Sequence, residues 1–278
     1  MDEYTTKASP TVPAYARIPF NHCNLPAVIL GSLTYQQHPV PLQLDGVEEL
    51  HHALFVHLNG IDDPGERASH FISYMAGHFS LEHPEEAGFV KGMRRARTRA
   101  DYLRQLRGWS FDANAREGAV LKSWVTSRFG LLPRFHVNEL GDYTGESYAH
   151  FLEEMNRGLY GTNALEAQLD LLYTFSQYEL ARRHPGELHL TLYRGVNRVD
   201  EHEVLSRDAD GRLRVLFNNL NSFTSSRERA DEFGDYILLA QVPLAKIFFF
   251  TQLLPGRLRG EEEYVAIGGV YEVKLMTA

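Results

Sequence analysis

The spacing of apolar positions changes character at Pro185. Upstream of it they recur at helical intervals. VEELHHALFVHL (47–58) places Val47, Leu50, Leu54 and Leu58 on one face, and RASHFISYMAGHF (67–79) does the same with Phe71, Tyr74, Met75 and His78. Further helices are predicted near 92–108, 113–129 and 146–157. The longest, ALEAQLDLLYTFSQYELARRH (164–184), stops before Pro185-Gly186. Downstream, short runs of β-formers follow one another: 188–196, 212–220, 236–242, 246–250, 263–269 and 270–276. Asp208-Ala209-Asp210-Gly211, Pro243 and Pro255-Gly256 separate them, and one short helix is predicted over 227–233. Residues 1–44 carry six prolines and read as an irregular arm. The expected class is α+β, with a helical N-terminal half packed on a mostly antiparallel β-rich half. The expected divisions are 1–44, 45–185 and 186–278, the last two forming one compact unit.

Composition narrows the function classes. Hydrophobic residues make up 44% and charged residues 23% of 278, an ordinary globular balance. No stretch of about 18 apolar residues is present, so no membrane-spanning helix is expected. The first residues lack a basic start followed by an apolar run, so no secretory signal is expected and a cytoplasmic location is inferred. The single cysteine, Cys23, fits a reducing compartment and reads as a plain buried thiol. A net charge of −8 disfavours general nucleic-acid binding. The tract 91–107 departs from that balance: Lys91, Arg94, Arg95, Arg97, Arg99, Arg104 and Arg107 face only Asp101. It reads either as a solvated helix face or as a docking surface for an acidic partner. The thirteen histidines are scattered. His51, His52 and His57 do not align two ligands on one helix face, so no metal site is expected.

Three pieces of the β half could carry chemistry. In Tyr193-Arg194-Gly195, an arginine near a predicted strand end offers a planar fork for phosphate, and glycine lets backbone approach a ligand. Asn221-Ser222-Phe223-Thr224-Ser225-Ser226 places hydroxyls before the short helix, where they can orient an acidic group or cap that helix. In Gly260-Glu261-Glu262-Glu263-Tyr264, strand alternation puts Glu261 and Glu263 on one side. Two carboxylates facing one cleft repel, so their acidities separate and one is the better base.

Taken together, the order Arg, Phe-x-Ser, Glu-x-Glu resembles the arginine-specific mono-ADP-ribosyltransferases. Ala230 and Phe233, the passage 238–250 and the loop 251–261 resemble the matching parts of that family. The stretches 21–47 and 123–136 resemble its branch that switches off nitrogenase in nitrogen-fixing bacteria. The resemblance implies a β core with a cleft for bent NAD, rather than a Gly-rich Rossmann fingerprint, which is absent. It implies NAD as co-substrate, no metal, dinitrogenase reductase (the nitrogenase iron protein) as substrate protein, and a PII-type nitrogen signal protein as activator. Glu263 would stabilise the developing positive charge on the ribose through its 2′-hydroxyl, and Glu261 would bind and deprotonate the incoming guanidinium. Arg194 would grip the phosphate or ribose region, with Gly195, Phe223 and Thr224 beside the dinucleotide. The motif serine maps to Ser225, where Arg227 replaces the family's last serine; Ser222 is the alternative register. Competing readings are an NAD glycohydrolase, a transferase with another target, and a non-catalytic NAD-binding module.

Overall fold

The computed structural model describes residues 11–81, 100–159, 163–199, 202–258 and 262–277. The helical half comprises α1 (Ala27–Leu30), α2 (Leu33–Gln37), α3 (Val47–Leu50), α4 (His52–Asn59), α5 (Pro64–His78), α6 (Tyr102–Phe111), α7 (Arg116–Phe129), a two-residue hairpin β1 (Phe135–His136) and β2 (Asn138–Glu139), α8 (Glu146–Gly158) and α9 (Ala164–Arg183). The β half comprises β3 (His189–Val196), β4 (Glu203–Arg207), β5 (Arg212–Thr224), α10 (Arg227–Asp231), β6 (Tyr236–Pro243), β7 (Ile247–Phe250) and β8 (Glu263–Thr277). The architecture is α+β.

Local chemistry sets several of these boundaries. Asp63 caps α5 by accepting from the Glu66 amide at 2.7 Å, with Pro64 in the first turn where its missing N–H costs nothing. Gly130 closes α7 in the left-handed region at φ +70°. The periodic run 47–58 is two helices, not one. The chain breaks at His51, which is buried and bonds to the Tyr74 hydroxyl at 2.9 Å. That break turns Leu50 out to 73% exposure while Leu54 and Leu58 stay buried.

All strand pairings are antiparallel. The six-stranded sheet runs β4-β5-β3-β6-β8-β7, and an added β5–β8 pairing closes β3, β6, β8 and β5 into a ring. β8 is one strand of fifteen residues where the sequence suggested two. Gly268-Gly269, which reads as a break, is a fitting inside the strand. A Cβ on Gly268 would lie 1.7 Å from the Asn218 carbonyl oxygen at the irregularity of β5, and Gly269 adopts φ +116° against Gly31. The stretch around Gly31 departs from the irregular arm that its prolines predict. It instead holds α1 and α2, buries Leu30, Leu33 and Tyr35, and bonds β8 through Val270 N–H to Gly31 O at 2.8 Å.

One hydrophobic cluster draws on both halves. Trp124 of α7 stacks on Phe248 of β7 with centroids 4.3 Å apart, and Phe71 stacks on Phe175 at 4.0 Å. Polar ties fix the register between the layers. Tyr173 donates to the Ala245 carbonyl at 2.7 Å, and buried Asn219 donates to the carbonyls of Lys122 and Leu131 at 2.7 and 3.0 Å. The Asn219 ties place α7 over β5 beside the β5–β8 seam.

Candidate active site

Antiparallel pairing of β5 with β8 sets Ser222 opposite Val265 and Thr224 opposite Glu263. Ser222 and Glu263 are therefore diagonal neighbours on one face of the sheet, within reach of each other. The Ser222 hydroxyl donates to Glu263 Oε1 at 2.8 Å, and the Ser110 hydroxyl at the end of α6 donates to Oε2 at 3.0 Å. Trp109 Nε1 donates to Ser222 Oγ at 2.9 Å, which leaves that hydroxyl proton to point at the carboxylate. The Glu263 backbone is clamped as well: its N–H donates to Thr251 Oγ1 at 3.1 Å, and Thr251 donates back to its carbonyl at 3.2 Å. Both oxygens of this half-buried carboxylate are thus aimed by two neutral donors.

Arg194 reaches the same seam from β3. Its Nη1 donates to the Ser222 carbonyl at 2.8 Å, and its Nε donates to His202 Nε2 at 3.3 Å. Burial and the adjacent guanidinium push the His202 pKa down, so the ring stays neutral and can accept. Ser222, Trp109, Arg194 and His202 line a cleft of about 690 Å³, together with Asn114, Lys122, Arg134 and Asn218. That volume lies in the range of small-molecule sites, roughly 300–1,000 Å³.

Not every expected residue joins this constellation. Ser225 is exposed and contributes its amide to the Glu262 carbonyl at 3.3 Å; the hydroxyl on Glu263 belongs to Ser222. Phe223 alternates to the opposite face of β5, where it is buried against Phe217 with centroids 5.6 Å apart. Thr224 is buried, and its hydroxyl accepts from the Ser226 amide at 3.1 Å to shape the turn into α10. Gly195 is demanded by packing: a Cβ there would sit 2.0 Å from the Ala230 carbonyl oxygen of α10. Glu261 lies outside the described residues. The described strand β8 begins at Glu263, and Glu262 before it adopts φ +61°. Most of the basic tract, 91–99, also lies outside them. Of its remainder, Arg104 pairs with Glu117 at 3.2 Å and Arg107 donates to the Arg257 carbonyl at 3.1 Å.

The family model for dinitrogenase reductase ADP-ribosyltransferase matches residues 20–275. The chain belongs to this family. A relative from Rhodospirillum rubrum, NAD(+)--dinitrogen-reductase ADP-D-ribosyltransferase, is 42% identical over 258 residues, covering 91% of this chain and 93% of the relative. No solved structure matches.

Within this ADP-ribosyltransferase the helical half supplies residues that the β motifs do not announce. Trp109, Ser110, Asn114, Lys122 and Arg134 come from α6, α7 and the loops beside them. Trp109 and Ser110 form a polar-aromatic end to an otherwise amphipathic helix, and that was the signal available in the sequence. Lys122 is 2% exposed, at an apolar-phase position of α7. Burial pushes its pKa down to about 7, partly opposed by Asp112 and reinforced by Arg194. Burial and the neighbouring Lys122 push the His136 pKa down to about 4. Among the described residues no group of three or more His, Cys, Asp or Glu is placed to hold a metal ion. Nor is any described helix long and apolar enough to cross a membrane.

Proposed function

We propose that the protein cleaves NAD between nicotinamide and ribose and transfers the ADP-ribose to an arginine of dinitrogenase reductase. Family membership supports the chemistry, and the name of the R. rubrum relative supports the acceptor. The single observation that carries the residue assignment is the carboxylate of Glu263, held by two serine hydroxyls beside a cleft lined by Arg194.

The C1′–N bond breaks with its electron pair leaving on nicotinamide, which departs neutral and needs little acid assistance. Positive charge grows on the ribose, and a pre-positioned carboxylate stabilises it without reorganising at the moment of reaction. Glu263 takes this role by accepting from the ribose 2′-hydroxyl. Ser222 and Ser110 position it, and Trp109 positions Ser222. Arg194 fixes the β5 backbone at Ser222 and presents its guanidinium to the phosphate side of the bent dinucleotide. Glu261 orients the acceptor guanidinium and takes its proton as nitrogen bonds to C1′. A protonated guanidinium, with its pKa above about 12, is a poor nucleophile without such a base. The reading carries a cytoplasmic location, where NAD and the iron protein meet, and a PII-type nitrogen signal protein as activator.

The test is incubation of the purified protein with labelled NAD and purified dinitrogenase reductase, followed by peptide mapping. The expected result is label on one arginine of the reductase. Free ADP-ribose with unlabelled reductase would make the protein a glycohydrolase, and no NAD turnover would make it a binding module.

A further inference from the structure

The wall of the cleft that comes from the helical half carries cations no β-strand motif predicts. Lys122 enters from α7 with its ammonium in the cleft lining. Its Nζ has two near neighbours with lone pairs, Asn114 Oδ1 and His136 Nδ1, each at 3.2 Å, and the Trp109 ring lies 5.9 Å away. Both neighbours are neutral, since His136 is held in its unprotonated form. An ammonium has three donors, so one remains for an incoming group. No described carboxylate stands within ion-pair distance of Lys122, and the nearest electrostatic help is Asp112. Arg134, which follows α7, lines the same cleft. Its Nε and Nη1 are buried without a hydrogen-bond acceptor, and its nearest carboxylate oxygen is that of Glu203 at 3.8 Å from Nη2.

Burying an amine among neutral partners is costly, and an apolar side chain of similar size would pack there at lower cost. An arrangement that leaves donors of a buried amine and of a half-buried guanidinium unmatched is complementary to an anion with several acceptor oxygens. Resting on the NAD reading above, we propose that Lys122 and Arg134 form an anion subsite that binds the pyrophosphate of NAD, opposite Arg194. The dinucleotide is then clamped between the two halves of the protein, its ribose end at Glu263 and its phosphates against α7. Binding an anion restores the charge that burial has suppressed on Lys122, so the complex takes up a proton. The groups facing Lys122 that bear on this titration are His136 from β1, Asp112 from the loop after α6, and Arg194 from β3.

The experiment compares wild type with Lys122→Met and Arg134→Gln in two ligands. ADP-ribose carries the pyrophosphate and is measured by calorimetry in buffers of different ionisation enthalpy at about pH 8. Nicotinamide carries no phosphate and is measured as an inhibitor of NAD hydrolysis. A lost charge-assisted bond to phosphate predicts ADP-ribose affinity reduced about 10-fold or more in each variant. Nicotinamide inhibition should stay within about threefold of wild type, as expected for a group the variants do not touch. Proton uptake on ADP-ribose binding should be present in wild type and absent in Lys122→Met. Unchanged ADP-ribose affinity in both variants overturns the subsite while leaving the NAD reading intact. Equal weakening of both ligands in the better-tolerated Arg134→Gln shows a structural role and also overturns it. A wild-type protein that binds neither NAD nor ADP-ribose removes the NAD reading itself.

Discussion

Replacing Ser222 by alanine removes the hydroxyl that joins Trp109 to Glu263. Two hydrogen bonds disappear: the 2.8 Å bond to Oε1 and the 2.9 Å bond from the indole. A hydrogen bond to a charged acceptor contributes about 1.5–3 kcal/mol, and every 1.4 kcal/mol is a factor of ten. Ser110 still holds Oε2, so the carboxylate keeps one anchor and rotates about it. The expected loss in kcat/KM for NAD hydrolysis is about 10- to 100-fold, carried mainly by kcat because positioning matters most in the transition state. The indole N–H left without an acceptor costs about 1–3 kcal/mol of stability, visible in urea denaturation. Ser225→Ala is the control, since its side chain is exposed; it should change kcat/KM by less than about threefold. Initial rates of nicotinamide release at saturating and limiting NAD measure both parameters. If Ser225→Ala loses more activity than Ser222→Ala, the positioning network described for Glu263 is wrong.

Other perturbations separate site from scaffold. Gly195→Ala should destabilise the fold by about 1–3 kcal/mol through overpacking against Ala230, measured by chemical denaturation, so any activity loss tracks unfolding. Glu179→Ala leaves the buried Arg67 guanidinium without its carboxylate, now bonded Nη2 to Oε2 at 3.0 Å, and should cost about 3–5 kcal/mol in the same assay. Burial depresses the pKa of Lys246 to about 7 although its ammonium faces the Tyr35 and Tyr271 rings. The unfolded chain, with Lys246 near 10.5, therefore binds more protons than the folded one between those values, and unfolding free energy rises with pH across that window. Lys246→Met should reduce the gain in stability between about pH 7 and pH 9 relative to wild type, read from paired urea titrations.

Much of the fold was legible because helix periodicity and β-former runs are local signals. The helix over 164–184 and the strands at 188–196 and 236–242 needed no tertiary information. What failed was non-local. His51 breaks the 47–58 helix to reach Tyr74, and Gly268-Gly269 continues a strand because Asn218 and Gly31 press against it. The arm before residue 45 gains its helices by docking on β8. In the site, strand alternation was enough to pair Ser222 with Glu263 once the β5–β8 register was known, but a register cannot be read from one strand. Alternation also separates Phe223 from the cleft, which the motif alone obscured. Lys122 and Trp109 were hidden because their helical positions look like core positions until α6 and α7 are laid across the seam.

The most direct test of the central claim is to measure NAD hydrolysis and arginine transfer side by side in Glu263→Gln and Glu261→Gln. Removing the charge that stabilises the ribose cation should lower both activities of Glu263→Gln by about 10²–10³-fold or more. Glu261→Gln should lose transfer to dinitrogenase reductase while still releasing nicotinamide. Hydrolysis at the wild-type rate by Glu263→Gln would contradict the account.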